Sequence, residues 1–201
     1  MIEATTNTWH LYDLIEPHVA KVKIANAGRV KLLGAGGVKT DSRDALTLAC
    51  LSAANLLPEV WVPPIEIREL RQLITHRGRL IKQRSMLKNR LSSMLQRHAI
   101  LPPEGDMFHA KHTEWWHGLK LGAMEMLRVR QDWQQYHALT PLIQSVETLI
   151  IDFSQDARFA HITPLLIQLP GIGVLGAMTL IATIGDITRF ARVFRPCDAD
   201  K

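Results

Sequence analysis

The longest periodic pattern in the chain runs over residues 65–101. Leu73, Leu80, Leu87, Met94 and Leu101 recur every seven residues, while Ile67, Ile74, Ile81 and Leu95 form a second column one position over. Only a helix brings both columns to one side. Pro63-Pro64 predicts its start and Pro102-Pro103 its end, because proline fits a first turn but removes a donor and clashes inside. Such a helix is roughly 50 Å long at a rise of about 1.5 Å per residue. Arg77 and Arg84 fall where a strict two-column seam wants apolar residues, so the stripe suits bundle packing better than a long zipper.

Before this helix the pattern is mixed. Residues 1–4 read as the end of a strand. Over 7–15, Trp9, Leu11, Tyr12, Leu14 and Ile15 follow a helical spacing that Pro17 closes. Residues 19–25 alternate apolar and basic side chains, as a half-buried strand does. A short turn or helix over 29–33 leads into the glycine loop 34–37, and a further helix carries Leu46, Leu48, Ala49, Leu51, Leu56 and Leu57. Strand, helix, strand, glycine loop, helix is the rhythm of an α/β domain. After Pro103, residues 119–136 and 142–153 read as two more helices that could return along the long one, with Trp133 and Tyr136 in the core. A final helical pair, 165–169 and 174–184, flanks Pro170-Gly171-Ile172-Gly173.

Composition adds a charge to this outline. The chain has 201 residues, 47% of them hydrophobic, enough for a real core in one domain or two small ones. The net charge of +5 and a pI near 9.5 favour an acidic partner. Much of the excess lies on the long helix, where Arg68, Arg71, Arg77, Arg79, Lys82, Arg84, Lys88, Arg90 and Arg97 are opposed after residue 68 only by Glu69. These bases are either a solvated coat on a paired helix or a contact for a phosphate backbone. No segment approaches the ~20 consecutive apolar residues of a membrane span. The N-terminus lacks the basic-then-apolar form of a signal peptide, so a cytoplasmic location is expected. Cys50 and Cys197 stand alone and read as reduced thiols.

Three places carry candidate chemistry. Asp41 and Asp44 lie three apart at the start of a helix, where Asp41 could cap it and Asp44 favour its positive end. Alternatively, with Glu3 from the first strand, they could share a divalent cation. His109, His112 and His117 with Trp115 and Trp116 form a local cluster read as packing, since no familiar ligand spacing completes it. The Pro-Gly-Ile-Gly turn is either a tight connection or a helix-hairpin-helix, whose glycines let backbone N–H groups approach a phosphate.

Taken in order, these pieces resemble the DEDD transposases of the insertion-sequence-110 (IS110) family. Glu3-Ala4-Thr5 is similar to its Glu-Ala-Thr-Gly block, Lys39-Thr40-Asp41-Ser42-Arg43-Asp44-Ala45 to its Lys-Thr-Asp-x-x-Asp-Ala block, and Lys88-Asn89-Arg90-Leu91 to its arm. Residues 169–173 and 184–190 look like the start of its C-terminal domain. Thr6 stands where the family usually has glycine and Ala27 where it often has proline. After Phe190 the sequence leaves the pattern. The resemblance implies an RNase H-like, resolvase-type fold with four acids holding Mg2+. Glu3, Asp41 and Asp44 match the second, third and fourth. It also implies a coiled-coil arm for homo-oligomerisation, a nucleophilic serine in the C-terminal domain, DNA as substrate and a structured guide RNA.

The expected fold class is therefore mainly α with an N-terminal α/β piece. Residues 1–60 are expected to form a partial RNase H-like domain, 61–160 the long helix and arm, and 161–201 the start of a hairpin-bearing C-terminal domain. Lys39, Arg77, Arg84, Lys88 and Arg90, with Gly171, Ile172 and Gly173, are the expected nucleic-acid contacts. The first acid of the family belongs upstream of Glu3 and the serine downstream of Phe190. The expectation is thus an incomplete copy of a transposase or, alternatively, a non-catalytic nucleic-acid-binding and oligomerising fragment.

Overall fold

The computed structural model describes residues 1–33 and 41–190; the side chains of residues 31–33, 41, 43 and 44 lie outside that description. The chain is mainly helical and divides into two compact units, Met1–Pro63 and Pro64–Lys201.

In the first unit, β1 (Ile2–Glu3) and β2 (Ile24–Ala25) pair in parallel, with Ile2 opposite Ile24 and Glu3 opposite Ala25. Parallel strands require a crossover, and α1 (Thr8–Ile15) with a 3-10 turn at Glu16–His18 supplies it. On the other side of β2, the Val60 N–H donates to the Ile24 carbonyl at 2.7 Å and the Asn26 N–H to Pro58 at 2.9 Å. Lys23 pairs with Glu59 at 2.8 Å, and that hydrogen bond holds the Glu59 carboxyl below its ordinary range. The strand expected over 19–25 is thus much shorter. The ladder with β1 reaches only to Lys23, and Val19 is exposed.

Helix α2 (Ala27–Leu33) begins two residues before the expected 29, because the Asn26 side chain caps it by accepting the Arg29 N–H at 3.0 Å. Helix α3 (Asp41–Ala53) ends before Leu56 and Leu57. Its stop is a Schellman turn: Leu56 N–H donates to Leu51, Asn55 N–H to Ser52, and Asn55 takes φ 57°. Leu57 enters the small core with Val22, Ile24 and Ala25.

The second unit is built on α4 (Ile65–Arg97). Pro63-Pro64 does set its start, but its end comes before Pro102. Ile100 N–H donates to Leu95 and Ala99 N–H to Gln96, with Ala99 in the left-handed region at φ 49°. This second Schellman turn leaves Leu101, the last member of the expected column, 86% exposed. A 3-10 turn (Ala110–His112) and α5 (Thr113–His117) lead to α6 (Ala123–Gln155), one continuous helix where two were expected. Pro141 lies inside α6 on its exposed side. There the His137 carbonyl that proline leaves without a donor can turn to water, so the helix need not stop.

Helices α4 and α6 form an antiparallel pair. Arg97–Glu125 at 2.6 Å, Arg90–Asp132, and Arg77–Glu147 at 2.6 Å run in opposite directions along the two helices. One end is filled by Leu87, Leu91, Met94 and Leu95 against Phe108, Trp116, Val129, Trp133 and Tyr136. Trp116 is fully buried, its indole N–H donating to the Met107 carbonyl at 2.8 Å. α7 (Thr163–Ile167) and α8 (Val174–Ile184) complete the unit, with Ala177, Met178, Ile181 and Ala182 of α8 buried. Arg71 of α4 donates to the Ala182 and Thr183 carbonyls at 2.6 and 3.2 Å, answering the open carbonyls at the C-terminus of α8.

Candidate metal centre and nucleic-acid interface

Glu3 ends β1, so its side chain stands at the carboxyl edge of a parallel pair, where open α/β sheets present ligand-binding groups. The backbone around it is fixed. Ala4 N–H donates to the Ala25 carbonyl at 2.9 Å, and the buried Thr8 hydroxyl accepts the Thr5 N–H at 2.5 Å and donates to the Thr5 carbonyl at 2.7 Å. The Glu3 carboxylate itself is half-buried and makes no hydrogen bond or ion pair with any described residue. A free carboxylate on a fixed strand end is chemically suited to a hard divalent cation, which takes oxygen ligands.

Asp41 opens α3 and Asp44 follows one turn later. Their side chains, and the whole of Lys39, lie outside the described residues. Among the described residues no group of three His, Cys, Asp or Glu side chains is gathered around one point. Of the histidines near Trp116, His109 accepts the Lys111 N–H on Nδ1 at 3.1 Å, and His137, which was not singled out from sequence, packs edge-on against Trp133 at 4.3 Å, while the Nε2 atoms of His112 and His137 are buried without a hydrogen-bond partner among the described residues. Burial holds the His137 imidazole below its ordinary pKa, with His109 nearby adding to the effect.

The expected nucleic-acid contacts on α4 are sorted by the hairpin. Arg77 and Arg90 hold Glu147 and Asp132, and Lys88 sits over the Phe108 ring at 4.8 Å and the Tyr136 ring at 5.7 Å. Arg84 is half-buried and holds no described carboxylate. The acids that take these cations were not singled out from sequence, yet a signal exists. Glu125 and Asp132 stand seven apart, as do Arg90 and Arg97, and two helices running antiparallel bring such pairs together. The span Asp132–Glu147 is two residues longer than Arg77–Arg90, and Pro141 falls within it, which hides the third match.

At the turn between α7 and α8, Gly171 takes φ +82°, a conformation that other residues adopt only with strain. Gly173 precedes α8, and no side chain caps that helix, so the first N–H groups of α8 meet no side-chain acceptor. Ile172, between them, donates its N–H back to Leu169 at 3.1 Å.

Comparison with known proteins adds two findings. A family profile described as a transposase, of the DEDD IS110 type, matches residues 1–100. The chain is also 27% identical over 155 residues to a protein of Sinorhizobium fredii named "Putative transposase y4qE". That match covers 76% of this chain and 36% of the relative, so the chain spans about a third of the length of the curated protein it matches.

Proposed function

Because the chain belongs to the IS110 family of DEDD transposases, we propose that it takes part in the breaking and rejoining of DNA strands when an insertion sequence moves. The first unit carries the chemistry and the second handles nucleic acid. The observation that carries this reading is the Glu3 carboxylate, fixed by its backbone at the carboxyl edge of β1 and without a partner among the described residues. Glu3, Asp41 and Asp44 would hold a divalent cation, Mg2+ in the cell, which when bound neutralises phosphate charge and orients an attacking oxygen. Thr8 keeps the turn after β1 in place, so that Glu3 meets the cation without rearrangement. Lys39, two residues before Asp41 in sequence, adds a cation for the phosphate.

In the second unit, the turn at Gly171, Ile172 and Gly173 suits a helix-hairpin-helix contact, in which the uncapped N–H groups at the start of α8, rather than that of Ile172, face the backbone of DNA or a structured guide RNA. Homo-oligomerisation through the hairpin of α4 and α6, and an RNase H-like completion of the first unit, belong to the same reading. No described helix is long and apolar enough to cross a membrane. A non-catalytic nucleic-acid-binding role is the second reading, favoured by the self-contained packing of the helical unit.

Titration of the full chain with Mn2+ separates the two. The catalytic reading predicts binding that weakens at least tenfold in each of Glu3→Gln, Asp41→Asn and Asp44→Asn. Affinity that survives all three substitutions contradicts it and leaves Asp41 and Asp44 as acids favouring a helix start.

A further inference from the structure

From Arg71 to Arg97, α4 contains no Asp or Glu. Among the described residues, acids of α6 pair with Arg77, Arg90 and Arg97. Arg79 and Lys82 are exposed and make no hydrogen bond or ion pair with any described residue. They share one face with the exposed residues Thr75, Gly78, Ser85 and Asn89, which follow the three-four spacing of a helical stripe. Cations mixed with neutral hydroxyl and amide donors, and no carboxylate, are the side chains that hold a phosphodiester backbone.

Gly78 supports the assignment independently of charge. It lies within a long helix, where glycine is disfavoured. A Cβ built there meets nothing within 4 Å, so packing inside the chain does not ask for a glycine. A bare backbone at that point permits close approach from outside.

We propose that the solvent face of α4 around Gly78, with Arg79 and Lys82 as its cations, binds the phosphodiester backbone of a nucleic acid. This deepens the nucleic-acid reading above and rests on it. The contact moves away from Arg77, Lys88 and Arg90, whose charges are met by acids or rings of the same unit.

The test is the salt dependence of binding, with duplex DNA and a hairpin RNA titrated side by side against the full chain. Each lost phosphate contact lowers the slope of log affinity against log salt by about 0.9 on a duplex, so Arg79→Gln with Lys82→Gln should lower it by about 1.8. The nucleic acid on which the loss is larger is the source of the phosphates. Gly78→Ala should raise the thermal midpoint, because alanine favours the helix, and yet weaken binding. Arg130→Gln, an exposed cation on α6, should leave the slope unchanged. If the chain binds but both α4 variants bind as before, or Arg130→Gln acts as strongly as they do, the assignment to α4 is overturned while the wider reading stands. If the unaltered chain retains neither nucleic acid at low salt, the wider reading fails.

Discussion

The two units treat their carboxylates in opposite ways. In the helical unit Glu125, Asp132 and Glu147 each meet an arginine of α4. In the N-terminal unit Glu3 meets nothing described, although its backbone is held on two sides. An acid matched by a cation across a helix pair sets register and contributes modestly to stability. An acid fixed in place without a partner is maintained at a cost unless something outside the chain uses it. The same logic applied to cations separates Arg77 and Arg90 from Arg79 and Lys82. The difference extends to packing. Nine core residues fill one end of the hairpin, whereas the described core of the first unit is Val22, Ile24, Ala25 and Leu57 beside a two-residue ladder.

Core substitutions sharpen that contrast most. Trp116→Ala removes a fully buried ring that stacks near Phe108 and Trp133, and should cost the helical unit about 3–5 kcal/mol. Ile24→Ala, at 1% exposure in β2, should cost the first unit about 2–4 kcal/mol. Denaturation followed by hydrogen exchange assigns each loss to its unit. Equal losses across both units after either change would mean that they do not unfold separately.

The next effect compares two turns built alike. Asn55 ends α3 and Ala99 ends α4, each in the left-handed region. Asparagine tolerates that region and alanine does not, so Ala99→Gly should stabilise the helical unit by about 0.5–1 kcal/mol, while Asn55→Gly should change little. Urea midpoints measure both.

A smaller effect concerns pH. His137 has a folded pKa below its ordinary 6.5. Between the two values the unfolded chain binds a proton that the folded one refuses, so this contribution to stability is complete above pH 6.5 and declines as pH falls below it. His137→Phe should flatten that decline. Asp156, held at about 2 by hydrogen bonds from Arg158, acts lower. Its contribution is complete above its ordinary 3.8 and fades as pH falls toward 2.

Much of this architecture is legible in the sequence, and the gaps have physical causes. Local signals sufficed for the start of α4 at Pro63-Pro64, for α1, and for the two helices flanking Gly171. The end of α4 depends on Ala99 accepting a conformation that its side chain disfavours, and no composition rule announces that. Pro141 reads as a break because the rule describes a helix alone; on the wet side of a packed helix the lost hydrogen bond is tolerable. The basic coat could not be sorted from α4 by itself, since the acids that sort it lie on α6. For the site, strand and helix patterns brought out Glu3, Asp41 and Asp44, but whether they converge depends on side chains beyond the described residues.

The most direct test of the division between a metal-holding unit and a nucleic-acid-handling unit is to map the cation along the chain. Fe2+ in place of Mg2+, with ascorbate and peroxide, cuts the polypeptide backbone close to wherever the ion is bound. The account predicts fragments ending near Glu3 and near residues 41–44, suppressed by excess Mg2+ and absent from Asp41→Asn. Cuts confined to residues 64–190, or cuts that Asp41→Asn leaves unchanged, would contradict it.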